Sequence, residues 1–254
     1  QNFVSAATGM AVLVALIRGF ARRTSATVGS FWVDLVRSTV YVLLPLSIAL
    51  ALALASRGVV QTFDGSAVVQ LLDPQLAADG SLAAEQVIPL GPAASQVAIK
   101  QLGTNGGGFY NANSAHPLET PDALTNLLES LAILLIPAAL CFTFGAMIRD
   151  RRQGVALLSA MLVVLVPSIA GIYALERAGT PALAAEGADL VGDEAAPGGN
   201  MEGKELRFGL AQSAIWAAAT TAASNGSVNA MHDSPTPPGG PAPPGPMQPR
   251  GGQL

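Results

Sequence analysis

Four stretches of this chain carry no charged residue over about the length of a membrane helix: Asn2 to Ile17, Ser38 to Ser56, Leu131 to Ile148 and Val155 to Leu175. A hydrocarbon layer asks for about 20 apolar residues per helical crossing, whereas the core of a soluble 254-residue chain needs no runs of this kind. All four are therefore predicted to be transmembrane helices. Composition agrees, with 50% hydrophobic and only 12% charged residues, against roughly 25% charged in ordinary soluble domains. Pro45, Pro137 and Pro167 fall inside three of the stretches. Neighbouring groups in a membrane bundle satisfy the carbonyls that a proline frees, so these prolines are compatible with spanning.

Charge excludes one class of partner outright. The formal net charge is -4 and no dense Lys/Arg run occurs, so no nucleic acid is expected, because phosphate binding rests on clustered cations. The single cysteine, Cys141, lies in an apolar block and reads as a small buried hydrophobe. Position 1 is Gln, and Arg18, Arg22 and Arg23 follow the first apolar block instead of preceding it. That is the reverse of a signal peptide, and the chain is expected to be an internal piece of a longer one.

Basic residues also set the orientation, since short cytoplasmic connections retain positive charge. Arg18, Arg22, Arg23 and Arg37 bracket the first connection, and Arg149, Arg151 and Arg152 occupy the second. The longer segments near 57–100 and 176–207 are then external. They carry Asp64, Asp73, Asp79 and Glu85 in one and Glu186, Asp189, Asp193, Glu194, Glu202 and Glu205 in the other. Such an acidic vestibule concentrates cations near an entrance, although solvated loop charge is the plainer reading of any single residue. Trp32, Tyr41 and Tyr173 read as interfacial anchors. Arg37 is read as snorkelling from a helix end, and Glu129 as a solvated residue at another.

Between the second and third spans, Pro92 suits a first helical turn, and Ser95 to Leu102 makes about two turns before Gly103 stops them. Glycines at 103, 106, 107 and 108 follow, giving a backbone that can take positive φ and be approached closely. After the fourth span the design recurs: a short helix from Arg207 runs into Thr220-Thr-Ala-Ala-Ser-Asn-Gly226. An internal repeat of about 115 to 120 residues, built as helix, re-entrant loop and helix, accounts for both copies.

Irregular backbone at membrane depth survives only where protein buries it or a wet cavity receives it. A potassium filter uses that exception, with unpaired carbonyls replacing the ion's water shell. The short helices would aim their partially negative C-termini at the ion path. Thr104, Asn105, Gly106, Gly107 and Gly108 are the candidate first wall, and Thr221, Ala222, Ala223, Ser224, Asn225 and Gly226 the second. A phosphate loop is disfavoured, because Phe109 and Tyr110 follow the last glycine where Lys and then Ser or Thr are needed. A structural glycine-rich turn competes for either loop taken alone. His116 and His232 make a poor transition-metal pair and are read as anchors of their returning segments. No metal other than potassium is expected.

The run Gly103-Thr-Asn-Gly-Gly-Gly-Phe-Tyr-Asn-Ala-Asn-Ser-Ala-His-Pro117 resembles the second filter loop of the potassium-binding subunits of Kdp-type potassium-transporting ATPases. Similarity to that family continues through Gln1 to Gly9, Leu131 to Gly145, Asp150 to Gly154, Asn200 to Glu205 and Thr220 to Asp233. The resemblance implies an all-α, multi-pass integral protein of the bacterial plasma (inner) membrane, in the potassium-transporter superfamily with Trk and Ktr translocators. Four helix, pore loop, helix repeats would surround one path for a potassium ion. It further implies, as partners beside membrane lipid, a P-type ATPase catalytic subunit and small single-span subunits. No Asp-Lys-Thr-Gly-Thr phosphorylation motif occurs, so ATP hydrolysis is expected elsewhere and this subunit is expected to be non-catalytic.

By that resemblance, the first filter loop would precede Gln1 and the fourth would follow Leu254, leaving two of four walls here. Residues 1–233 are expected to form the translocating region, with the second repeat complete and the third lacking its closing helix. The Pro/Gly-rich stretch 234–254 cannot build a packed element and is expected to be disordered or polyproline-like. A truncated or frame-disrupted copy and a cropped sequence both fit this ending. Two alternatives stay open: a Trk/Ktr-like translocator without ATP coupling, and a membrane remnant that conducts nothing.

Overall fold

The computed structural model describes residues 1–22, 27–76, 82–110, 112–180, 184–185, 187, 189–192 and 198–237. Four helices are long and apolar enough to cross a membrane: α1 (Asn2–Ala21), α2 (Phe31–Ser56), α4 (Ala123–Met147) and α5 (Arg151–Ala178). Two shorter ones, α3 (Ala93–Leu102) and α6 (Gly209–Ala222), complete the helical part. The molecule is a predominantly helical integral membrane protein, as its apolar stretches predict.

Every span reaches beyond its charge-free stretch, because the flanking charges are accommodated inside the helices. In α2, Asp34 is buried and paired with Arg18 of α1 through a two-pronged guanidinium–carboxylate contact. Arg37 is exposed on the same helix, as snorkelling requires. Glu129 departs from expectation. It lies inside α4, fully buried, and accepts hydrogen bonds from Gln101 Nε2 (2.9 Å) and Thr120 Oγ1 (3.0 Å). The correction follows from where α4 starts: Asp122 caps it by accepting from the Thr125 N–H (2.8 Å), and Thr125 Oγ1 accepts from the Asp122 N–H (3.1 Å).

Pro45 shows how these helices absorb proline. Ahead of it, residues Ser38–Leu43 widen into a π-helical turn, and the Leu44 N–H reaches back to the Thr39 carbonyl. Such a bulge is a common response when one donor is missing from the ladder. At the turn between α4 and α5, Arg149 takes φ +61°, and the Asp150 N–H bonds the Gly145 carbonyl (2.9 Å). Asp150 then caps α5 through the Arg152 N–H (3.0 Å).

The external segment after α2 departs from an all-α fold. Ser66–Leu76 (β1) and Leu82–Pro89 (β2) pair antiparallel, Ser66 opposite Pro89 and Gln70 opposite Glu85, with an irregularity between Gln70 and Gln75. Counting membrane spans could not reveal this hairpin. Its local signal is the β-branched content of Val68-Val69 and Val87-Ile88.

Each short helix leans on spanning helices: α3 packs on α2 and α4, and α6 on α5 and α4. Leu54 and Val59 close over Ala94, Val97 and Ala98 of α3. Ile172 meets Ala214 and Ala218 of α6. A further cluster of Ala7, Met10, Leu43, Leu102, Ala132 and Ile136 joins α1, α2 and α4 at the end of α3. The small side chains let the short helices sit close to their supports.

The stretch expected as a tail begins inside a bonded segment. Asn200 Nδ2 donates to the Ser234 carbonyl (2.8 Å), and Thr236 donates to Glu176 Oε1 through both its N–H (2.8 Å) and its hydroxyl (3.0 Å). The buried Glu176 carboxylate thus holds residues just beyond 233. Residues 238–254 lie outside the described residues, as do Asp79, Glu186, Asp193 and Glu194 of the expected vestibule.

Candidate functional site

Helix α3 ends in a specific way. The Gly103 N–H bonds the Ile99 carbonyl (2.9 Å), Thr104 N–H the Gln101 carbonyl (3.1 Å), and Asn105 N–H the Lys100 carbonyl (3.1 Å). The end of α6 repeats the pattern: Ala223 to Ala219 (3.0 Å), Ser224 to Thr221 (3.1 Å) and Asn225 to Thr220 (2.8 Å). Thr104 and Ser224, neither of them glycine, both take left-handed backbone at φ +49° and +52°. Two residues on, Gly106 and Gly226 are again positive at +68° and +88°. Two distant sequences thus fold into one loop type, at the period the internal repeat predicts. Strained left-handed residues of this kind concentrate at functional sites.

The matching also sets where α6 ends and the second loop begins. Thr221 and Ala222 lie in the last turn of α6, where they correspond to Gln101 and Leu102 and not to loop residues. The helix continues to them because alanine and its neighbours favour it until Ser224 turns left-handed. Thr104, Asn105, Gly106, Gly107 and Gly108 lie beyond the last residue of α3, and Ala223, Ser224, Asn225 and Gly226 beyond that of α6.

The two loops meet backbone to backbone. A Cβ added to Gly106 would collide with the Asn225 carbonyl oxygen and sit 2.6 Å from both Gly226 C and Ser227 N. At Gly107 and Gly226 the same construction meets nothing within 4 Å. Among the described residues, no donor reaches the carbonyl oxygens of Thr104, Asn105, Gly106, Gly107 or Gly108, nor those of Ala223, Ser224, Asn225 or Gly226. Among the described residues, nine peptide oxygens on two touching loops thus accept no hydrogen bond.

The supports below the loops are polar and buried. Lys100 and Glu119 form an ion pair at 2.5 Å with both side chains fully enclosed. The other oxygen of Glu119 accepts from the Tyr110 N–H (2.9 Å) and the Phe109 N–H. One carboxylate thus neutralises a lysine on the short helix and fastens the chain leaving the first loop. In the second copy Glu176 acts similarly. It pairs with Lys204 at 2.7 Å and holds Thr236. Ser227 receives at its carbonyl both Trp216 Nε1 (2.9 Å) and Thr220 Oγ1 (2.8 Å). Arg207, at the entry to the second unit, donates to the Thr120 and Ala115 carbonyls, each at 2.5 Å.

Of the two histidines, His116 does anchor its segment. Its Nδ1 accepts from the Leu118 N–H (3.1 Å), and its ring stacks on Tyr110 with centroids 4.3 Å apart. Burial lowers its pKa below the usual histidine value, as does the Arg207 cation, while Glu119 and Glu205 pull it back up. His232 is exposed, and its side chain makes no hydrogen bond among the described residues. The anchoring expected of it falls to Thr236. No group of three or more His, Cys, Asp or Glu side chains that could hold a metal occurs among the described residues.

Residues 1–248 match the family model described as "Potassium-transporting ATPase A subunit". The chain belongs to this family. Among its curated relatives is the potassium-transporting ATPase potassium-binding subunit of Sorangium cellulosum strain So ce56, 67% identical over 94% of this chain and 41% of that protein. The subunit of the same description from Herpetosiphon aurantiacus is 60% identical over 96% of this chain and 42% of its own length. One from Clostridium botulinum strain Eklund 17B is 58% identical over 94% and 42%. The chain thus spans about two-fifths of the length of these relatives.

Lys100, Gln101, Glu119 and Glu176 are supporting residues that hydrophobic length alone does not single out. A usable signal existed. An ionisable residue inside or beside an apolar membrane segment has to be paired, and it marks a place where polar groups converge.

Proposed function

We propose that this chain contributes part of the potassium-binding subunit of an ATP-driven importer in a bacterial inner membrane. The described loops then form two walls of a filter that replaces the ion's hydration shell with peptide carbonyls. The observation that carries this reading is the set of bare oxygens on two backbone-matched loops in contact at Gly106 and Asn225. The wall residues are Thr104, Asn105, Gly106, Gly107 and Gly108 on one side and Ala223, Ser224, Asn225 and Gly226 on the other. Potassium is the cargo.

Several features of the site suit a cation. The partially negative C-termini of α3 and α6 lead directly into the loops. Lys100, a turn before Thr104, would repel a cation if it were unpaired, and Glu119 removes that charge. ATP hydrolysis belongs, in this reading, to a separate P-type ATPase subunit, with small single-span subunits completing the complex. All three relatives named above for their similarity carry "potassium-binding subunit" in their descriptions, which supports the assignment.

The test is rubidium and potassium uptake in cells deficient in potassium import, with the partner subunits supplied and Gly106→Ser beside the unaltered protein. Serine at 106 brings a Cβ into the Asn225–Ser227 backbone at a positive φ, so potassium affinity and potassium-over-rubidium preference should both fall. An assembled Gly106→Ser complex with both quantities unchanged would remove the filter reading.

A further inference from the structure

The amide of Gln101 is fully buried and engaged on both sides. Its Nε2 donates to Glu129 Oε2 (2.9 Å) and to Ser114 Oγ (3.2 Å). Its Oε1 accepts from Ser227 Oγ (3.0 Å) and Asn225 Nδ2 (3.3 Å). Ser114 lies on the segment returning from the first loop, and Asn225 and Ser227 belong to the second. Glu129 projects from α4, which packs on both short helices. One side chain therefore bonds to both loop units and to the helix between them.

The polarity of this amide is dictated from one side. Asn225 Oδ1 accepts from the Ser227 N–H (2.8 Å), so its Nδ2 is the atom that faces Gln101 and needs an acceptor there. The oxygen must then face the second loop, where Ser227 and Asn225 supply donors. Turning the amide over would set its NH2 against the Asn225 amide nitrogen. A buried donor or acceptor left without its partner is costly.

We infer that Gln101 is the positioning residue that fixes the separation of the two loops, and with it the size of ion they accept, through an amide held between Glu129 and the Asn225–Ser227 turn. This rests on the filter reading and adds to it a residue outside the walls. Gln101 touches no ion; it acts through Asn225 and Ser227, whose backbone lies against Gly106.

Gln101→Glu nearly preserves shape. It keeps an acceptor toward the second loop, removes the donors to Ser114 and Glu129, and places two carboxylates face to face. Adding Glu129→Gln exchanges the polarity, because the new amide at 129 can donate to the carboxylate at 101 and still accept from Thr120. Ser227→Ala removes a single donor on the opposite side. All three, with Gly106→Ser as reference, are measured in the complete transport complex. The readouts are half-saturating potassium and rubidium concentrations, maximal uptake rate and recovery of assembled complex.

Gln101→Glu should reduce the potassium-over-rubidium preference about tenfold, and the double variant should restore it to within about twofold. Ser227→Ala should lower it about threefold. A merely structural role would reduce recovered complex and maximal rate while leaving the preference of the surviving complexes unchanged. Should Gln101→Glu fail to assemble, the double variant and Ser227→Ala decide. An assembled double variant with poor preference, or Ser227→Ala with unchanged preference, overturns the inference. If Gly106→Ser still lowers the preference, that failure is confined to Gln101; if Gly106→Ser has no effect either, the filter reading itself falls.

Discussion

Glu119 combines two tasks whose energetics differ. Its carboxylate accepts backbone N–H groups at 109 and 110, and it neutralises Lys100 in a site with no solvent access. In Glu119→Gln the amide oxygen still accepts from the backbone, but the ammonium loses its counter-charge. A buried charge stripped of its partner costs about 3–5 kcal/mol, so the melting temperature of the purified protein should drop sharply. Replacing both partners, Lys100→Met with Glu119→Gln, should recover most of the loss, since a pair exchanged for neutral groups is often near neutral. A double variant as unstable as the single one would contradict this account. His116 supplies a pH dependence of defined sign. Its folded pKa is depressed, chiefly by burial, so below about pH 6.5 the unfolded chain binds a proton that the folded one resists. Its contribution to stability is complete above that value and is lost as pH falls through the folded pKa. Thermal melts at pH 7.5 and 5.5 should show the lower value at 5.5, with a narrower gap in His116→Gln.

At the scale of elements, α4 and α5 approach each other closely beside the turn that joins them. An ideal Cβ on Gly154 would lie 2.5 Å from the Cys141 carbonyl oxygen and 3.3 Å from the Gly145 Cα. Gly154 is helical and needs no unusual φ, so the demand is purely one of space. Gly154→Ala gains helix propensity worth about 0.8–1 kcal/mol, yet must push backbone apart, and overpacking of this kind costs about 1–3 kcal/mol. The net expectation is a destabilised protein. Equal or higher thermal stability of Gly154→Ala in detergent would show that the two helices can separate without loss. The short helices present the opposite case. Alanines at 93, 94 and 98 of α3, and at 214, 218 and 219 of α6, are buried and let the neighbouring spans support a loop that has few backbone bonds of its own.

For the whole molecule, the positive-inside pattern assigns the Arg149–Arg152 turn to the cytoplasm and the β1–β2 hairpin to the opposite side. Cys141 is buried in α4 and should give little background in labelling. Leu72→Cys, at a fully exposed hairpin position, should react with a membrane-impermeant maleimide on intact spheroplasts. Arg151→Cys should react only after permeabilisation. Reversed labelling would invert the topology and place the bare carbonyls at the wrong face for uptake from outside. Spans and the recurrence of a short helix with a glycine-bearing loop were legible in the residues, because hydrophobic length and glycine placement are local properties. The hairpin carries no spanning-length apolar run, and composition does not mark where an alanine-rich helix such as α6 stops, which is after Ala222. Only the tertiary structure could show that Lys100 meets Glu119, that Glu129 is enclosed and not solvated, and that Gln101 joins both loops. Those contacts bring together residues up to a whole repeat apart, and a buried polar group takes its meaning from the partner that satisfies it, which chain order does not record.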